Sequence, residues 1–88
     1  MFINRFNQKF SDFYKEYNLE RAKTISKEIL EMLDNKGLKP FESADKNKSI
    51  YVHAFDDYFS TFDSKPNPNK RGLEIMRNII LNDLKHEN

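Results

Sequence analysis

The chain contains no cysteine and no tryptophan. Without a thiol it has no disulfide, no thiolate nucleophile and no cysteine-based zinc site. Glycine occurs only twice, at Gly37 and Gly72. Two glycines so far apart cannot form a phosphate-cradling loop of the Walker or dinucleotide type, and no Ser–His–Asp order of catalytic spacing is found. Neither sign of charge dominates: 15 Lys and Arg face 14 Asp and Glu, a formal net charge of +1. A protein whose whole surface grips nucleic acid or an anionic membrane is usually more basic. No segment approaches the ~20 apolar residues that a membrane-spanning helix needs. The first residues alternate apolar and polar, unlike a secretory leader. The expectation is a cytoplasmic protein that uses no cofactor and no metal and is not an enzyme.

The chain is rich in aromatic and AT-coded residues. Its 88 residues suit one domain, 1–88, with a single modest core. Eight Phe and four Tyr enlarge that core, since each aromatic side chain buries roughly 150–250 Å². Phe, Ile, Asn, Lys and Tyr account for 40 of the 88 residues, and Lys outnumbers Arg eleven to four. Such usage fits a low-GC genome and raises the expectation of a phage or mobile-element accessory protein.

The leading pattern is the stripe Phe2, Phe6, Phe10, Phe13 and Tyr17. Steps of three and four put these side chains on one face of a helix, predicted over Ile3 to Tyr17. The next apolar set is Leu19, Ala22, Ile25, Ile29 and Leu33. At 100° per residue it points about 150° away from the first. One straight rod would need two opposed apolar faces, so a break at Tyr17–Asn18 is expected. Asn18 suits an N-cap, with Glu20 in the first turn. The second helix is predicted over Leu19 to Asn35. Gly37 should end it, with Leu33 and Leu38 in the apolar contact of a Schellman motif, and Pro40 prevents continuation.

Residues 39–53 are ambiguous. Ile50-Tyr51-Val52 has β propensity, so Ser49–His53 could pair with Lys39–Ser43 in a short hairpin. A helix from Ala54 to Phe62 would follow, with Tyr51, Phe55, Tyr58, Phe59 and Phe62 on one face. Asp63 to Asn69 reads as a linker because of Pro66, Asn67, Pro68 and Asn69. Asn67 or Asn69 can cap a last helix, with Pro68 at its first position. There, Leu73, Met76, Ile80 and Leu84 form a core face, and Ile75, Ile79 and Leu81 widen it. So broad an apolar surface suggests a homodimer. The fold class expected is mainly α, three to four short helices with the optional short β-hairpin in residues 39–53.

Two chemical motifs weigh little. Asp45 to Asp56 has oxygen-bearing residues at EF-hand positions 1, 3 and 5, but Ile50 replaces the glycine of position 6 and Asp56 the glutamate of position 12. A polar turn is the expected reading. His53 with Asp56 and Asp57 has metal-ligand spacing but no second ligand cluster, and reads as a solvated acidic helix start.

The better lead is basic. Lys65, Lys70, Arg71 and Arg77 lie in or near the first turns of the last helix, where backbone N–H groups also favour phosphate. Residues 64–88 carry five Lys and Arg against three Asp and Glu, whereas residues 37–63 carry three against five. An exposed Tyr51 or Tyr58 could stack a base. The function expected is a small regulatory or inhibitory protein docking on a protein partner. The alternative is RNA binding by Lys65, Lys70, Arg71 and Arg77.

Overall fold

A computed structural model describes residues 2–38 and 50–85. These form four helices: α1 Phe2–Lys15, α2 Leu19–Asn35, α3 Ile50–Ser60 and α4 Lys70–Lys85. There is no strand among the described residues, and no described helix is long and apolar enough to cross a membrane.

The junction of α1 and α2 follows local chemistry. The Asn18 side chain accepts a hydrogen bond from the Arg21 N–H at 3.0 Å, and the Ala22 N–H bonds the Asn18 carbonyl at 2.9 Å. This is the expected N-cap, and it requires extended backbone at Asn18, where φ is −91° and ψ is 122°. The first helix therefore stops at Lys15, short of the predicted Tyr17. The two helices return antiparallel. Lys36 lies 4.8 Å above the Phe2 ring at one end, and Lys9 pairs with Glu28 midway. At its far end α2 closes as a Schellman motif. The Leu38 N–H donates to the Leu33 carbonyl at 3.1 Å, and the Gly37 N–H to the Asp34 carbonyl at 3.0 Å. Gly37 has φ +83°, the left-handed region that the motif demands.

Residues 50–53, expected in a β-hairpin, are the first turn of α3. The other predicted arm, residues 39–43, lies outside the described residues. Helical backbone from Ile50 to Asp56 also removes the EF-hand reading, because positions 6 to 9 of such a loop cannot be helical. The β propensity of Ile50-Tyr51-Val52 is outweighed by burial of Phe55 and Tyr58 one and two turns later. Phe55 stacks on Phe10 at 6.0 Å and meets Phe13 edge-on at 5.3 Å. Tyr58 lies 5.0 Å from Phe13. Each such ring pair adds roughly 0.5–1.5 kcal/mol beyond its area. In a helix Phe55 and Tyr58 reach one side together, whereas a strand would split them between faces.

Phe6, Phe10 and Phe13 thus form the centre of the core, as the stripe implied. Around them pack Ala22, Ile29, Leu30 and Leu33 of α2, Phe55 and Tyr58 of α3, and Leu73, Met76, Ile80 and Leu84 of α4.

The segment between α3 and α4 is irregular but tied down. Asn67 Oδ1 accepts from Thr61 Oγ1 at 2.7 Å and from the Asn69 N–H at 2.8 Å, while Asn67 Nδ2 donates to the Tyr58 carbonyl at 2.9 Å. Asn69 Nδ2 donates to the Asp57 carbonyl at 2.8 Å. Two asparagines therefore add side-chain donors to carbonyls in the last turn of α3, which also accept from the Thr61 N–H and the Ser60 hydroxyl. The Asn69 carbonyl accepts from the Leu73 N–H at 3.3 Å, so Asn69 is the N-cap and Lys70 the first residue of α4. Pro68 precedes the cap and is not the first helical residue as predicted.

Candidate functional site

Where the end of α1 meets the 61–70 segment, the surface opens into a cleft of about 430 Å³. Tyr14 and Tyr17 come from α1 and the residues after it, Tyr58 and Phe62 from the end of α3, and Asp63, Lys65 and Asn67 from the connection to α4. Lys70 closes it from the start of α4, and Glu16 from the α1–α2 turn.

Two ammonium groups lie over two tyrosine rings. Lys65 Nζ is 4.1 Å from the centre of the Tyr17 ring, and Lys70 Nζ is 5.0 Å from that of Tyr14. Both are cation–π distances. Lys70 also lies 3.8 Å from the Glu74 carboxylate, one turn along α4. Tyr17 is 74% exposed. It was predicted to belong to the core stripe; once α1 ends at Lys15, helical spacing no longer carries it to the buried face. The signal was present in Asn18, whose capping conformation cannot follow a continuing helix.

The floor of the cleft is neutral. Burial raises the Tyr14 hydroxyl well above the ordinary tyrosine value, and the Glu74 carboxylate adds to that, with Arg77 acting the other way. Burial also raises Tyr58. The Tyr14 hydroxyl is buried and has no hydrogen-bond partner among the described residues.

The four basic residues singled out in the sequence do not form one patch. Lys65 and Lys70 share the cleft. Arg71 follows Lys70 on α4 and is exposed, about 100° further round the helix. Arg77 is turned inward: its Nη2 donates to Asn7 Oδ1 at 2.8 Å, and its guanidinium lies 5.7 Å from the centre of the Phe10 ring. Its Nε is buried without a partner among the described residues. Arg77 thus links α4 to α1. The rings considered for base stacking are also covered, with Tyr58 8% exposed and Tyr51 half-buried.

His53 and Asp57 line a separate groove of about 300 Å³ between α3 and α4, with Ile50, Ala54 and Gly72. Among the described residues no three His, Asp or Glu side chains come together as a metal site would require. The tyrosine–lysine cleft combines an exposed ring, buried phenols, two ammonium groups and two carboxylates, Glu16 and Asp63. That set suits recognition by stacking, hydrogen bonding and charge of either sign. Compared with protein-family models, curated proteins and solved structures, the chain matches none.

Proposed function

We propose that this chain is a small non-catalytic binding protein, regulatory or inhibitory in kind, that docks on a protein partner through the cleft at Tyr17 and Lys65. The observation that carries the reading is Tyr17, a 74% exposed ring held under the Lys65 ammonium at the cleft mouth. Tyrosine is enriched at protein interfaces because it offers a large contact area together with a polar tip. The charges round the cleft, Glu16 and Asp63 with Lys65 and Lys70, suit a mixed protein surface.

The RNA reading draws less support. Counter-ion release by a phosphate backbone requires a run of free cations. Arg77 bonds Asn7 inside the fold, and Lys70 shares its charge with Glu74. The residue usage suits an accessory protein of a phage or mobile element and is the support for that part of the proposal.

The test is capture of partners from the chain's own host by tagged protein, with and without nuclease. It compares the parent with a Tyr17→Ala, Lys65→Ala variant whose circular dichroism matches the parent's. A protein retained through nuclease and lost with the variant supports the reading. A partner released by nuclease, or held equally by the variant, overturns it.

A further inference from the structure

We infer that a second copy of this chain pairs with the first through the outer face of α4, antiparallel about a two-fold axis midway between Ile75 and Ile79. This face is distinct from the tyrosine–lysine cleft, and the inference does not depend on the function proposed for it. The core side of α4 is complete, with Leu73, Met76, Ile80 and Leu84 all buried. On the opposite side Ile75 and Ile79 stand 50% and 51% exposed, one turn apart. Ile50, 68% exposed, lies in the adjoining α3–α4 groove beside Gly72. Isolated exposed apolar residues are ordinary, but two on consecutive turns of one helix face form an apolar stripe.

The charges say what covers it. Arg71 lies four residues before Ile75, and Asp83 four residues after Ile79. At 100° per residue, Arg71, Ile75, Ile79 and Asp83 fall within an arc of about 120°. Both charged residues are exposed, and neither is in an ion pair among the described residues. Each is also at the wrong end of its own helix. The macrodipole favours anions at the N-terminus and cations at the C-terminus, whereas α4 has Arg71 in its first turn and Asp83 in its last.

An antiparallel second copy reverses both conflicts. Arg71 then meets the second copy's Asp83 beside the C-terminal end of that helix, and Asp83 meets Arg71 beside its N-terminal end. Ile75 packs on Ile79 in both directions. Such an arrangement is self-complementary, as a two-fold interface must be. Gly72, next to this seam, has open space within 4 Å of where a Cβ would lie, so among the described residues none crowds the seam at that point. One helix pair covers less than the ~800 Å² per partner of a standard interface, so association is expected at about tens of micromolar.

The test is analytical ultracentrifugation of the full chain across about 5–500 μM. The parent should move from 10.6 kDa toward twice that mass. Arg71→Glu alone, and Asp83→Arg alone, should each weaken association about tenfold or more by setting like charges opposite one another twice. An equimolar mixture of the two variants, or both substitutions in one chain, should restore it. Each substitution favours the dipole of its own helix, so loss of association would not come from a weakened fold, and thermal melts at low concentration check this. A parent that stays monomeric throughout, single variants that associate like the parent, or a mixture that fails to recover would each overturn the pairing.

Discussion

The same substitution at the chain's two glycines should shift stability in opposite directions. In the unfolded chain, Gly→Ala removes similar freedom at either site, which stabilises the fold by about 0.4–1 kcal/mol. The folded states differ. Gly37 has φ +83°, and although a Cβ there would meet nothing within 4 Å, an L side chain is strained in that backbone conformation. Left-handed backbone costs a non-glycine residue roughly 1–2 kcal/mol. The net effect of Gly37→Ala is therefore a loss of about 0.5–1 kcal/mol. At Gly72, in the first turn of α4, a Cβ meets open space and φ is not in the left-handed region. With no native penalty, Gly72→Ala should raise stability by about 0.5 kcal/mol or somewhat more. Urea unfolding at low micromolar concentration, with equal m-values, measures both. For a domain of this size the melting temperatures of the two variants should differ by about 5–10 °C. Equal shifts of the same sign would refute the reasoning. The Schellman geometry at Gly37 would then not be constraining, or the start of α4 would not be regular helix.

Two further outcomes follow from groups between the helices. Asn67→Ala removes three hydrogen bonds, to Thr61, Asn69 and the Tyr58 carbonyl. It should cost about 2 kcal/mol, read as a fall of roughly 10 °C in the melting temperature; an unchanged melt would mean that this segment is not braced by Asn67. The raised Tyr14 and Tyr58 hydroxyls stay protonated in the fold at pH values where the unfolded chain loses those protons. The native state then holds more protons, so the contribution of these two groups should be flat well below about pH 10 and turn destabilising as pH rises through and above that value. Tyr14→Phe should reduce that alkaline fall. At neutral pH it should leave stability unchanged or raise it by up to about 1 kcal/mol, since the hydroxyl it removes is buried and unpaired. A marked loss of stability at neutral pH would show that the hydroxyl is bonded.

What could be read from the sequence tracks how local the deciding interaction is. Helix α2 was legible at both ends, because Asn18, Gly37, Leu33 and Leu38 act within a few residues of one another. The core stripe was legible because Phe6, Phe10 and Phe13 need only helical spacing to share a face. The start of α3 was not. Ile50-Tyr51-Val52 prefers strand by itself, and what overrides it is Phe55 reaching Phe10 and Phe13, more than forty residues earlier in the chain. Arg77 was misplaced among surface cations for the same reason: its partner Asn7 is 70 residues away. Of the candidate site, Lys65 and Lys70 were legible as charges beside a helix start. Tyr17 is kept in the stripe by periodicity, which locates helix ends poorly, although the Asn18 cap beside it already marks the break.

The Asn67–Asn69 brace also bears on how fast and how firmly anything can bind. By composition, a stretch with two prolines and two asparagines should be a loose tether whose ordering would weaken every encounter. Instead its side chains bond the carbonyls of Asp57 and Tyr58, so the wall carrying Lys65 is already fixed before a ligand arrives. Little backbone ordering is then left to oppose complex formation at that wall. Association there should behave as a near-rigid encounter, with a rate set by diffusion and charge and little slowed by rearrangement. Uncharged substitutions such as Tyr17→Phe should accordingly change the lifetime of a complex more than the speed of its formation, whereas removing the charge of Lys65 or Lys70 should change the speed.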